Sequence, residues 1–186
     1  MAVVDTLFTD FMDASDVLMA ANEVSLQIIL ESNLRKTLLL SAASYFEYTL
    51  CRIVNDFTDI VTSGNSMIIS LVQTKAISRQ YHTWFDWKTP NANVFFGLFG
   101  KVFRDHMTTK IATDDRIADA IRAFMEIGRE RNLLVHSDYA SHFINKTPDE
   151  IYALYILANN FVEMVSTELQ ACSAKMKGSP DLTLGV

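Results

Sequence analysis

Three polar side chains that could carry chemistry lie close together in the segment GRERNLLVHSD, Gly128 to Asp138. Arg131 brings a permanent cation with planar donors, Asn132 brings an amide, and His136 brings a side-chain type that titrates near neutral pH. Such groups can bind an anion and move a proton. They can equally cap and pin a helix end, where cations are favourable. The spacing of Arg and His is a weak signal by itself.

The spacing within this segment favours a shared helix face. Asn132 and His136 are four residues apart, so they lie on one face if the helix continues that far, and they extend a stripe that contains Met125 and Gly128. A glycine inside a helix costs about 1 kcal/mol relative to alanine. Gly128 therefore indicates that another backbone or a substrate comes close at this point.

The element that precedes the polar segment, and the final one, have clear helical signals. Thr113 or Asp114 is expected to cap a helix that reaches the polar segment. The segment Pro148–Lys175 is expected to form the final helix, because proline suits a first helical turn and acidic residues follow it.

The rest of the chain also has helical spacing. A first element over roughly Val3–Ile29 is expected to be one long or broken helix, and Ser32 or Asn33 is expected to cap a second. A third helix is expected over about Met67–Trp84, followed by a break at WKTPNAN and a short segment, VFFGLFGKVFRDH. In the second element, apolar residues that step by three and four predict one buried face: Leu39, Ala43, Phe46, Leu50, Ile53, Phe57 and Ile60.

Length and composition fit one domain. The chain has 186 residues, of which 49% are hydrophobic, enough for a sizeable core, and no alternating strand pattern or glycine-rich phosphate loop is visible. We predict an all-α, single-domain bundle of about five to six helices over residues 1–177, with a frayed tail over 178–186.

Neither a membrane location nor a bound cofactor is indicated. No apolar run is long enough to cross a membrane, and the N-terminal residues lack a signal-peptide pattern. Cys51 and Cys172 have no metal-ligand or redox spacing, which suggests two reduced, partly buried thiols in a cytoplasmic protein. Among the histidines, His82 is expected in the core, whereas His106 and His142 are expected at the surface. We predict no metal and no cofactor.

Three stretches of the sequence resemble the HEPN superfamily of small all-helical domains. RNLLVH, Arg131 to His136, matches the family's R-x4-6-H motif in the form with Asn second. LLLSAASYFEYTLCRIV resembles the family's second helix, which carries a carboxylate, here Glu47, on an otherwise apolar stretch. The middle region, AISRQYHTWFDW and NVFFGLFGKVF, is similar to stand-alone bacterial HEPN proteins of defence and toxin loci.

The resemblance implies a metal-independent endoribonuclease that acts as a homodimer, with one motif from each subunit facing a composite cleft. His136 would take the proton of the RNA 2′-hydroxyl, and Arg131 would stabilise charge on the phosphate. Asn132 would orient the imidazole or bind phosphate, and Glu47 would orient Arg131. The products would be 2′,3′-cyclic phosphate and 5′-hydroxyl ends, and DNA would not react. A toxin or anti-phage effector of this kind is expected to have a protein antitoxin or inhibitor.

Two alternatives stay open at this point. The same scaffold could be a non-catalytic dimeric module that binds nucleotide or protein, as an antitoxin-like component or adaptor. That alternative predicts Arg131 in an internal salt bridge with Glu47 or Glu126, and His136 away from any cleft. The aromatic residues between Tyr81 and Phe99 could stack RNA bases, but a core corner or a dimer wall is the favoured interpretation.

Overall fold

A computed structural model describes residues 3–177, and it is all-α in this range, as predicted. Seven α-helices follow one another, with a π-helical turn at Gln73–Ile77 and a 3-10 turn at Tyr81–Thr83 between the third and the fourth. The helices are α1 (Val3–Ala20), α2 (Val24–Thr62), α3 (Ser66–Val72), α4 (Asn93–Leu98), α5 (Gly100–Thr113), α6 (Asp115–His136) and α7 (Pro148–Lys177). The tail predicted over 178–186 lies outside the described residues.

The longest helix, α2, is the central element. Its 39 residues extend about 58 Å. Helix α1 packs along it, and α7 packs against both α2 and α6. The predicted apolar stripe of α2 is largely confirmed, since Leu39, Phe46, Leu50 and Ile53 are buried, but Ile60 at its end is 53% exposed.

The start of α2 was predicted wrongly. The first helix ends at Ala20, and α2 begins at Val24 rather than near residue 33. Asn22 makes the break with φ of +58°, a left-handed conformation that asparagine tolerates better than most residues. Neither predicted cap serves at a helix start, because residues 32 and 33 lie inside α2, where Asn33 Nδ2 donates to the carbonyl of Ile29 over 2.8 Å.

The predicted third helix is also shorter than expected. Helix α3 ends at Val72, where the chain widens into a π-helical turn that closes with a 2.8 Å hydrogen bond from Ser78 N–H to the Gln73 carbonyl. Arg79 then adopts a φ of +60°, which ends helical continuation. Trp84 turns inward and donates from Nε1 to the Ala76 carbonyl over 2.9 Å. Most of the aromatic residues that follow enter the core: Phe85, Phe95, Phe96 and Phe103.

The helix that carries the polar segment begins after one of the two predicted caps and reaches that segment, as predicted. Asp114 caps α6 by accepting from the Arg116 backbone N–H over 3.1 Å, and α6 continues through His136. Pro148 begins α7, and a reciprocal capping pair precedes it. In that pair Thr147 N–H donates to Glu150 Oε2 over 2.7 Å, and Glu150 N–H donates to Thr147 Oγ1 over 3.2 Å.

Predictions about individual side chains had mixed outcomes. Cys51 and Cys172 are unpaired thiols, the first half-buried and the second buried, as expected. His82 was predicted wrongly, since it is exposed. His106 and His142 were also predicted wrongly, because both are half-buried, and His106 Nε2 lies 2.8 Å from Glu168 Oε2. Within residues 3–177, no helix is long and apolar enough to cross a membrane.

Candidate functional site

Helix α6 separates Arg131 and His136, the two ends of the motif. Because the helix is intact through His136, a spacing of five residues turns the two side chains about 140° apart around its axis. Arg131 and Asn132 are half-buried on the side that faces the protein, whereas His136 is exposed. Arg131 Nη1 donates to Asn132 Oδ1 over 3.1 Å, so the amide holds the guanidinium in place.

A pocket of about 180 Å³ lies between α2, α6 and the segment 79–87. We call it the α2–α6 pocket. It brings together three of the predicted site residues, Glu47, Arg131 and Asn132, but His136 is not part of its lining. The other lining residues are Ala43, Phe46, Arg79, Tyr81, His82, Trp87, Phe124, Ile127 and Gly128.

The close approach that Gly128 indicated is made by Trp87. A Cβ atom on Gly128 would lie 1.9 Å from Cζ3 of the Trp87 ring, so only glycine fits there. The indole is held further by a 3.3 Å hydrogen bond from its Nε1 to the His82 carbonyl and by contacts with two neighbouring rings. Its centroid is 4.9 Å from that of Phe85 and 5.9 Å from that of Phe124. Trp87 therefore forms a fixed wall of the pocket.

Side chains of opposite charge line the pocket but form no ion pair with each other among the described residues. Glu47 and Arg131 line the same space, yet Arg131 forms no ion pair with any residue that the structure describes. Burial raises the pKa of Tyr81, and the negative charge of Glu47 raises it further while Arg131 opposes the rise. The Tyr81 phenol therefore stays neutral at physiological pH. Burial, followed by Glu47, also raises the pKa of the Cys51 thiol.

The structure bears on the binding-module alternative in two ways. The salt bridge that it predicted for Arg131 is not made, because Glu126 pairs with Lys146 over 2.7 Å and Glu47 has no ion-pair partner in the described range. The same alternative also predicted that His136 lies away from any cleft. Within a single chain this expectation has support, since His136 lies outside the α2–α6 pocket.

A buried lysine next to the motif was missed. Lys36 is only 7% exposed, and its Nζ donates to the Tyr139 carbonyl over 2.6 Å and to the Ala140 carbonyl over 3.2 Å. It therefore fixes the loop that begins one residue after His136. The signal was present in the sequence, because Lys36 precedes Leu39 by three residues and so continues the apolar stripe of α2.

The aromatic walls and Arg79 were also not assigned to the site. The sequence placed Tyr81, His82 and Trp87 in an aromatic-rich segment, but nothing local showed which of them would face α6. Arg79 reaches the pocket lining after the turn at φ +60°, which no residue pattern announced.

Comparison with known proteins gives a family assignment. The family model described as RiboL-PSP-HEPN matches residues 11–171, which is most of the chain. No curated protein and no solved structure shows a significant match. HEPN domains are often ribonucleases. The match covers α6 with its Arg131–His136 motif, the α2–α6 pocket and most of α7, and the chain therefore belongs to the HEPN family.

Proposed function

We propose that this protein is a metal-independent endoribonuclease that cuts RNA by attack of the 2′-hydroxyl on the neighbouring phosphate. The observation that carries the proposal is the end of α6, which presents an exposed His136 and a half-buried Arg131 that is free of any ion pair among the described residues. In a structural ion-pair network this guanidinium would be neutralised. An unpaired guanidinium next to a pocket is available for a phosphate.

The proposed chemistry needs only groups that the chain and its substrate provide. His136 removes the proton of the 2′-hydroxyl, and the 2′-oxygen attacks phosphorus. The 5′-oxygen leaves and takes a proton from the same histidine of a second copy. Arg131 stabilises the charge that accumulates on the non-bridging oxygens, and Asn132 holds the guanidinium through their 3.1 Å hydrogen bond. The products are a 2′,3′-cyclic phosphate and a 5′-hydroxyl, and DNA cannot react because it lacks the nucleophile.

A homodimer is part of the proposal, because one chain does not bring Arg131 and His136 into one cleft. The separation of about 140° between Arg131 and His136 favours a phosphate held between two copies of the α6 end. Exposed apolar side chains at the end of α6 and in the loop that follows it suit such a contact. Leu133 is 50% exposed, Val135 is 43% exposed and Phe143 is 70% exposed. Burying them against a second copy would be favourable.

We further propose a toxin or anti-phage role. An enzyme that cuts cellular RNA harms its own cell, so a dedicated protein inhibitor or conditional activation is expected to accompany it. The competing function is the non-catalytic dimeric binding module, which the position of His136 outside the α2–α6 pocket favours.

The test is cleavage of an end-labelled RNA and of the DNA of the same sequence in excess EDTA. A single 2′-deoxy substitution at a mapped cleavage site provides the matched substrate control. We expect cutting of RNA alone, insensitivity to EDTA, loss of cutting at the substituted position, and cyclic phosphate ends. DNA cleavage, or dependence on a metal ion, would contradict the mechanism. Absence of cutting by a folded dimer on several RNAs would favour the binding module.

A further inference from the structure

The volume and the aromatic lining of the α2–α6 pocket suit a flat ring. Its volume is about 180 Å³, and Tyr81 and Trp87 contribute half-buried aromatic surfaces to it. The centroids of these two rings are 6.0 Å apart, so they form a continuous aromatic corner. Stacking on such surfaces is a common way for proteins to hold an unstacked nucleobase.

The pocket contains groups of opposite charge that form no ion pair with one another in the part of the chain that the structure describes. Glu47 is half-buried, and within residues 3–177 its carboxylate accepts no hydrogen bond and makes no ion pair. Arg79 and Arg131 supply two guanidinium groups to the same lining. A base that fits this lining must offer donors to the Glu47 carboxylate and acceptors to the Arg79 guanidinium, while Arg131 stays available for the phosphate.

Guanine is the nucleobase with that arrangement. Its N1–H and 2-amino group are adjacent donors that match the two oxygens of one carboxylate, and its O6 and N7 are adjacent acceptors that match a guanidinium. Uracil has carbonyl oxygens on both sides of its N3–H, which a carboxylate such as Glu47 repels. Adenine offers a single donor group, its 6-amino group. We propose that the α2–α6 pocket binds a guanine base, with Glu47 as the residue that selects it.

This inference rests on the proposed function for the place of the base on the RNA. Arg131 lines the pocket, and His136 lies about 7.5 Å further along the axis of α6. A guanine in the pocket therefore places the phosphate of its own nucleotide near Arg131, whereas His136 of the same chain is turned about 140° away, so the second copy of the proposed dimer would supply the histidine. The pocket would make the ribonuclease cut next to guanosine.

The test is calorimetric titration of the wild-type protein with guanosine 3′-monophosphate, and with the adenosine, cytidine, uridine and inosine monophosphates. Inosine lacks only the 2-amino group. A lost hydrogen bond to a charged acceptor costs about tenfold or more in affinity, so we expect inosine to bind at least tenfold more weakly than guanosine. Adenosine and uridine should bind more weakly still.

The variant Glu47→Gln keeps the side-chain shape and should lose the preference for guanosine over inosine. Glu23→Gln, which changes an exposed glutamate at the start of α2, is the matched control and should keep the preference. Equal affinity for all the monophosphates, or an unchanged preference in folded Glu47→Gln, would overturn the inference. If Glu47→Gln does not fold, the comparison of guanosine with inosine on wild type still decides.

The outcome is separable from that of the proposed function. Guanosine-selective binding without RNA cleavage would keep the pocket assignment and reject the nuclease. RNA cleavage without base preference, together with unselective binding, would keep the nuclease and reject the pocket assignment.

Discussion

The contact between Gly128 and Trp87 gives the sharpest quantitative prediction of the structure. Replacing Gly128 with alanine would ordinarily stabilise a helix interior by about 1 kcal/mol. Here the new Cβ would lie 1.9 Å from Cζ3 and 2.2 Å from Cε3 of the Trp87 ring. Both distances are far below van der Waals contact, so the ring or the helix must move.

The ring cannot move without losing other contacts. Trp87 packs against Phe85, Phe124 and Tyr81 and donates a hydrogen bond to the His82 carbonyl. Overpacking of this kind costs about 1–3 kcal/mol, and the severity of the overlap places the cost in the upper part of that range. After the helix gain is subtracted, we expect the free energy of unfolding to fall by about 1–2 kcal/mol.

Urea unfolding followed by circular dichroism measures this change, and tryptophan emission reports the movement of the ring. Gly97→Ala is the matched control, because Gly97 also lies in a helix but a Cβ there meets nothing within 4 Å. That variant should be as stable as wild type or more so. Equal or greater stability of Gly128→Ala, with unchanged emission, would refute the placement of Trp87 and hence the wall of the pocket.

Two further predictions concern buried charged groups. Lys36→Met removes the donor to two loop carbonyls, so we expect the free energy of unfolding to fall by about 1–3 kcal/mol and amide hydrogen exchange to become faster after His136. Lys75→Met, which changes an exposed lysine, should alter neither quantity. Unchanged exchange in Lys36→Met would contradict the anchoring role. Burial opposes ionisation of Glu168, but hydrogen bonds from Lys110 and His106 hold its pKa below the ordinary value. Its folded-state pKa is thus lower than its unfolded one, so its contribution is present above about pH 4.3 and is lost as the pH falls through the folded value. Glu168→Gln should therefore lower stability by about 1–3 kcal/mol at pH 7, and the difference should shrink in acid; a difference that grows as the pH falls would contradict the sign.

Features of the structure that depend on local signals were predictable from the sequence. Asp114 and Pro148 mark helix starts by chemistry that acts within one turn, and the structure confirms both. The apolar spacing predicts that α6 reaches the polar segment, whereas its continuation through His136 is a finding of the structure. The family motif identified Arg131 and Asn132, which the structure places side by side.

Features that depend on backbone exceptions or distant packing were not predictable. Nothing nearby indicates that Asn22 and Arg79 take left-handed conformations, yet both lie where the chain leaves a helical path that apolar spacing would continue. The α2–α6 pocket depends on contact between Gly128 and Trp87, which are 41 positions apart in the sequence. A glycine shows that something comes close, but its own sequence neighbourhood cannot show what.

The most direct test of the central claim compares RNA cleavage by wild type, Arg131→Ala and His136→Ala, each verified as folded and in the same oligomeric state. Arg129→Ala, which removes an exposed arginine two residues from the motif, and His142→Asn are the matched controls. We expect both motif variants to lose about 100-fold or more in rate and both controls to retain it. Wild-type rates in folded Arg131→Ala and His136→Ala would show that the end of α6 is not the catalytic site.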